Sequence, residues 1–159
     1  MTTSIFRIVP LPTAIADAAR DAAGRGVPDH VVTEVDSPKS APCRHCLRWA
    51  QPGERVILFP YASIPPGRSY SESGPIFVHE QRCESYGATQ SYPPDFRQGR
   101  VLRAYDSQEN MIEAIVVDGE ELEVIIAKLL ANPATAFLQV RSVTRGCFTF
   151  RIARNDDRR

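Results

Sequence analysis

Apolar and polar residues alternate along much of this chain at the two-residue period of a half-buried strand. The alternation appears in "SIFRIV" (4–9), "HVVTEVD" (30–36) and "PIFVHE" (75–80), and again in "RVLRAYD" (100–106) and "MIEAIVV" (111–117). It is strongest in "AFLQVRSV" (136–143) and "CFTFRIA" (147–153), which "TRG" separates as a hairpin turn would. "RVILFPY" (55–61) is instead continuously apolar, the pattern of a strand covered on both faces. "SQEN" joins 100–106 to 111–117 over a length suited to an antiparallel hairpin.

Two segments carry helical spacing. Thr13 is placed to cap an alanine-rich helix reaching about Arg20 or Ala23. Ile15, Ala18, Ala19 and Ala22 form its apolar stripe, and Gly24 and Gly26 stop it. Asp118 and Glu121 resemble a capping box, followed by Leu122, Ile125, Ile126 and Leu129 on one helical face and a stop before Pro133. The proline-, glycine- and serine-rich stretch 63–74 reads as a surface loop. Residues 81–99 form a second irregular segment, long enough to suggest function. Together the segments predict an α+β domain: a mainly antiparallel sheet of about seven strands with two helices on one face. The whole chain, 1–159, is expected to be one domain with a core over about 4–153, and Arg158 and Arg159 with the preceding acids form a solvated tail.

Composition narrows the classes of function. Of 159 residues, 43% are hydrophobic and 24% charged, and 19 basic side chains balance 19 acidic ones. That balance gives no global field to attract nucleic acid or anionic lipid. No apolar run approaches the ~18 residues of a membrane span, and the first twenty residues lack the basic head and apolar run of a secretion signal. The expected setting is therefore the cytoplasm, where cysteines serve as reduced thiols, metal ligands or catalysts more often than in structural disulfides.

Four cysteines and three histidines carry the candidate chemistry. Cys43 and Cys46 make a C-x2-C pair in "PCRHC". After thirty-two intervening residues His79 and Cys83 make an H-x3-C pair. Two such pairs brought together by a fold supply the four soft or borderline ligands of a tetrahedral zinc ion. His45 is a spare ligand, although its place inside the turn tends to aim it away. The alternatives are free, partly buried thiols or a Cys46–Cys83 bridge formed on oxidation. A thioredoxin-type redox pair is disfavoured because Pro52-Gly53 leaves no room for a long helix after Cys46.

Cys147, before Phe148 and Phe150, reads as a small core residue. The competing reading is a nucleophile with His30, His45 or His79 as its base. Arg44, Arg103, Tyr105 and Arg141, with Arg145 nearby, can form a pocket for a carboxylate or phosphate. The plainer reading is a set of rim arginines paired with Asp106, Glu113 or Glu54. Trp49, the sole tryptophan, is expected to pack beside the C-x2-C turn.

The ordered set "PCRHCL", "PGERVILFPY", "SGPIFVH", "LRAYD" and "GCFTFRI" resembles the bacterial domain-of-unknown-function family numbered 1203, over roughly residues 4–153. The resemblance implies a small free-standing bacterial protein and carries no catalytic residues with it. The leading expectation is a binding or interaction module, with a small molecule or protein as partner, whose Cys/His cluster can hold structural zinc. The rivals are an enzyme using a thiol or an open zinc position on a small anionic substrate, and a plain scaffold with incidental thiols.

Overall fold

A computed structural model describes residues 4–119 and 121–155. The predicted C-terminal tail lies mostly outside the described residues. The alternating segments and the continuous apolar run all form strands, eight among the described residues where about seven were expected: β1 (Phe6–Val9), β2 (Val31–Glu34), β3 (Arg55–Ile64), β4 (Glu72–His79), β5 (Arg100–Tyr105), β6 (Met111–Val117), β7 (Phe137–Ser142) and β8 (Phe148–Arg154). The helices are α1 (Thr13–Gly24) and α2 (Leu122–Ala131), and a single 3-10 turn, Pro94–Phe96, interrupts the long loop.

The α+β class is correct, but the single sheet is not. There are two antiparallel sheets, a five-stranded one ordered β1-β8-β7-β5-β6 and a three-stranded one ordered β2-β3-β4. Nor do the helices share a face. Leu122, Ile126, Leu129 and Leu130 of α2 pack on Leu102, Ala104, Leu138, Val140, Phe150 and Ile152 of the larger sheet. Ala16 and Ala19 of α1 pack instead on Ile57, Phe59, Ile76 and Val78 of the smaller one. The small alanine side chains give α1 a narrow apolar stripe, which suits close approach to a compact sheet.

Both expected helix caps fail, and each side chain is engaged elsewhere. Neither helix has a side-chain cap. Thr13 instead pairs with His45, its Oγ1 2.9 Å from Nε2. Asp118 accepts a hydrogen bond from the Gly99 backbone N–H at 2.9 Å, closing the long loop onto the end of β6. The "SIPPGRSYSESG" loop is also shorter than expected, because β3 runs to Ile64 and β4 begins at Glu72.

The two sheets are joined by an apolar and a polar contact. Ile64 packs with Tyr105 and Phe137, whose rings stack at 5.2 Å. Beside them, Glu72 of β4 accepts hydrogen bonds from Arg103 of β5 at 2.8 Å and from Arg141 of β7 at 3.1 Å. Gln139 donates to the Ser63 carbonyl across the same seam. The acids expected beside these arginines were Asp106, Glu113 or Glu54; the bonded partner is Glu72, on a strand distant in sequence.

Candidate metal centre

The C-x2-C segment folds as a tight loop at the end of the smaller sheet. The Cys43 N–H donates to the Arg48 carbonyl and the Leu47 N–H to the Cys43 carbonyl, each at 3.0 Å. Leu47 adopts φ +57°, the left-handed turn that swings the chain back toward Trp49. The loop is tied to its surroundings at three points: Arg44 N–H to the Phe77 carbonyl, Leu11 N–H to the Arg44 carbonyl, and Tyr86 N–H to the His45 carbonyl. It thus touches β4, the entry to α1 and the long 81–99 loop. The N–H groups of Cys43, Arg44 and Leu47 and the carbonyls of Cys43, Arg44, His45 and Arg48 are engaged, which fixes the course of the loop that carries the two thiols.

His79 is the last residue of β4, and Cys83 lies four positions on, where the long loop begins. The fold brings these to the turn. The ligand atoms of Cys43, Cys46, His79 and Cys83 all lie within 4.8 Å of one another. The Cys43 and Cys83 sulfurs are 3.9 Å apart, and the Cys46 sulfur is 3.6 Å from Nδ1 of His79. Around a zinc ion with Zn–S of ~2.3 Å and Zn–N of ~2.05 Å, tetrahedral geometry places two sulfurs about 3.8 Å apart and a sulfur and a nitrogen about 3.6 Å apart. The spacings therefore suit a metal ion, and all four cysteines of the chain are free thiols.

The surroundings are those of a negative centre. Nδ1 of His45 lies 3.3 Å from the Cys83 sulfur, and Nη2 of Arg20, from α1, donates to it at 3.5 Å. Burial lowers the His45 pKa, which favours a neutral ring. Such a ring donates from Nδ1 to the sulfur and accepts the Thr13 hydroxyl at Nε2. Arg20 also donates to the His79 carbonyl at 3.0 Å, and the Cys46 sulfur raises the Arg48 guanidinium. Three thiolates and one neutral imidazole around a divalent ion leave a net charge of about −1, which these cationic and N–H groups offset.

His79 completes the pattern. Its pKa is raised to about 10, chiefly by hydrogen bonds to Cys43 and Cys46, and the Cys43 thiol is strongly lowered by its neighbouring thiols Cys46 and Cys83. In the metal-free chain these groups thus lean toward a thiolate–imidazolium pair, which is also the charge pattern a bound cation would replace. On the far side of the ring, Nε2 is buried without a hydrogen bond, and the Glu54 carboxylate stands 3.4 Å away. That spacing is an electrostatic contact rather than a formed hydrogen bond. A carboxylate behind a ligating imidazole is a recurrent outer-shell partner that orients the ring.

All four expected ligands are thus brought together, and the spare, His45, touches the cluster from outside. Arg20, Thr13 and Glu54 were not anticipated. Their types and spacings are ordinary for a helix and a turn, and only the packing of α1 on the smaller sheet gives them this role. Cys147 lies apart: its thiol faces the Arg145 carbonyl at 3.8 Å. His30 pairs with Asp29, and the other two histidines are engaged at the cluster, so none is bonded to Cys147 as a base. The four expected anion-binding residues divide into two groups. Arg103 and Arg141 gather around Glu72, near Tyr105, whose buried hydroxyl has no hydrogen-bond partner. Arg44 lies in a separate cleft with Arg100. Trp49 packs edge-on against Phe96 beside the turn, as expected, with centroids 5.2 Å apart.

Among the described residues, no helix is long and apolar enough to cross a membrane. Neither the curated proteins nor the solved structures contain a match to the chain. The family described as "Protein of unknown function (DUF1203)" matches residues 40–154, a span holding all five quoted motifs and the four cluster residues but not β1, α1 or β2. The chain belongs to the DUF1203 family.

Proposed function

We propose that the protein is a binding or interaction module in which Cys43, Cys46, His79 and Cys83 hold a structural zinc ion. The observation that carries this reading is the mutual approach of the four ligand atoms, from two segments remote in sequence, to within 4.8 Å. Three thiolates and an imidazole form a donor set that zinc favours over hard cations. Because all four ligands come from the protein, the set fills a tetrahedron and leaves no position for a substrate. That supports a structural ion over a catalytic one.

The ion would act as a staple. Cys43 and Cys46 belong to the loop that carries Arg44 and Trp49, and Cys83 opens the 81–99 segment. Binding would hold both against the end of β4, so that a surface made of loops becomes rigid enough to recognise a partner. The reading places the protein in the cytoplasm, where thiols stay reduced, and gives it a small molecule or protein as partner rather than nucleic acid or a membrane.

Metal analysis of protein purified without chelators tests the proposal. About one zinc per chain, with a melting temperature that falls on chelation and recovers on adding zinc, is expected. A ratio near zero with a melting temperature indifferent to added zinc would contradict it.

A further inference from the structure

A second feature lies beside the metal centre, on the opposite side of the C-x2-C loop. An open cleft of about 550 Å³ runs between the two sheets, within the size range of small-molecule sites. Its charged lining consists of Lys39, Arg44, Arg100 and Arg145, with no aspartate or glutamate. The chain as a whole carries no net charge, so this concentration of one sign is local and needs its own explanation.

Two of these cations are buried. Arg44 is 3% exposed and Arg100 7%. Arg44 donates from Nε to the Phe148 carbonyl at 2.8 Å and from Nη1 to the Pro42 carbonyl at 2.6 Å. Arg100 donates to the Gln98 carbonyl and, weakly at 3.5 Å, to the Thr149 hydroxyl. Among the described residues neither meets a carboxylate, and each retains an Nη2 with no protein acceptor. This contrasts with Arg141, equally buried, which is matched by Glu72. Buried cations are ordinarily paired. Arg44 and Arg100 thus bring two buried positive charges to one cleft whose lining holds no carboxylate.

Trp49, Leu58, Phe77 and Pro75 add apolar wall, and serine and threonine side chains such as Ser142, Thr144 and Thr149 complete the lining. We propose that this cleft binds a small organic phosphate, its phosphoryl group held by Arg44 and Arg100 and its organic part lying along Trp49 and Phe77. Phosphate fits better than a single carboxylate. Four cations suit a dianion, and the Nη2 groups that Arg44 and Arg100 retain offer donors to separate terminal oxygens of one phosphoryl group. Lys39 and Arg145, both exposed at the rim, would draw the ligand in and add to the field. The inference supplies a ligand class for the module proposed above. It rests on that reading only in that Arg44 sits between two of the metal ligands, so the ion would hold its backbone in place.

Trp49, the only tryptophan, lines the cleft and reports on it. The intact chain is titrated with phenyl phosphate, inorganic phosphate and benzoate in separate arms, followed by tryptophan emission and by calorimetry, and zinc is measured on the same sample. Phenyl phosphate is expected to saturate below about 1 mM and to bind about tenfold more tightly than benzoate, with inorganic phosphate between them. Replacing the exposed pair together, Lys39→Ala with Arg145→Ala, should weaken phenyl phosphate about tenfold without loss of fold. Arg100→Gln should weaken it further, with circular dichroism checking that the chain stays folded. Absence of saturable phenyl phosphate binding by both methods, equal affinity for benzoate, or an unaffected Lys39/Arg145 double variant would each overturn the inference. Full zinc with no phosphate binding would sink the cleft alone. Phosphate binding without zinc would uphold the cleft and sink the metal reading.

Discussion

The Cys43 and Cys83 sulfurs lie 3.9 Å apart although forty positions separate the two residues. Cys43 is fully buried against Ala16, Ala19, Ile57 and Val78, while Cys83 is partly buried at the rim of that same small core. The cluster therefore closes the end of the α1–sheet core, where a short alanine stripe provides little apolar area. A metal ion there would add cohesion where packing supplies least.

The cluster and Cys147 should respond differently to the same substitution. Cys83→Ser removes a ligand, and is expected to abolish stoichiometric zinc and lower stability. The loss is about 4 kcal/mol if the ion is present at a thousandfold over its dissociation constant. Cys147→Ser should keep full zinc content and change stability by less than about 1 kcal/mol. Metal analysis and denaturant melts of the two variants check this, and equal zinc content in both would count against the assignment.

Among the described residues, Glu72 is the sole carboxylate bonded to two arginines of the facing sheet. Its side chain is 41% exposed but Arg141 is only 3% exposed. Removing the acid leaves Arg141 and Arg103 facing each other without compensation. With a discount for the exposure of the acid, Glu72→Ala is expected to cost about 1–3 kcal/mol. Arg141→Met, which removes the buried charge itself, should cost less than Arg141→Ala because its volume is kept. Urea unfolding of the three variants tests the order.

The arginine pairs and the two sheets show where the sequence is legible and where it is not. Period-two alternation marked seven of the strands and a continuous apolar run marked β3, because a strand's apolar pattern looks alike in any sheet. It could not divide them between sheets. Neither the continuous run of β3 nor the alternation of β5 names a neighbour, and only side-chain packing decides that β3 pairs with β2 and β4. The two residue pairs of the cluster were legible because metal ligation demands particular residue types at short spacing. Arg20 and Glu54 were not, since helix surfaces and turns carry such residues for many reasons. The Asp118–Glu121 signature was misleading for a related reason: the aspartate is bonded to the Gly99 N–H, where φ of +63° and a tight fit against Val143 favour glycine.

Acid should act measurably at the Arg97–Glu123 pair. Two contacts of 2.7 Å join Arg97, at the end of the long loop, to Glu123 in the first turn of α2. The hydrogen bonds from Arg97 lower the Glu123 carboxyl below its ordinary value. A lowered folded-state pKa stabilises the protein above the unfolded value near 4.5, and that contribution is lost as pH falls through the folded-state value. Both side chains are partly exposed, so the contribution is less than about 1 kcal/mol. Stability of wild type minus Glu123→Gln, measured by urea melts, should be positive at neutral pH and vanish as pH falls through the lowered folded-state value. A difference that grows on acidification would show the opposite linkage.

X-ray absorption at the zinc edge of the purified protein tests the central claim most directly, since it counts and measures the donors themselves. The account predicts three sulfurs at about 2.3 Å and one nitrogen at about 2.0–2.1 Å, with no water oxygen in the shell. A shell of oxygen and nitrogen alone, or fewer than three sulfurs with an added light atom, would contradict it.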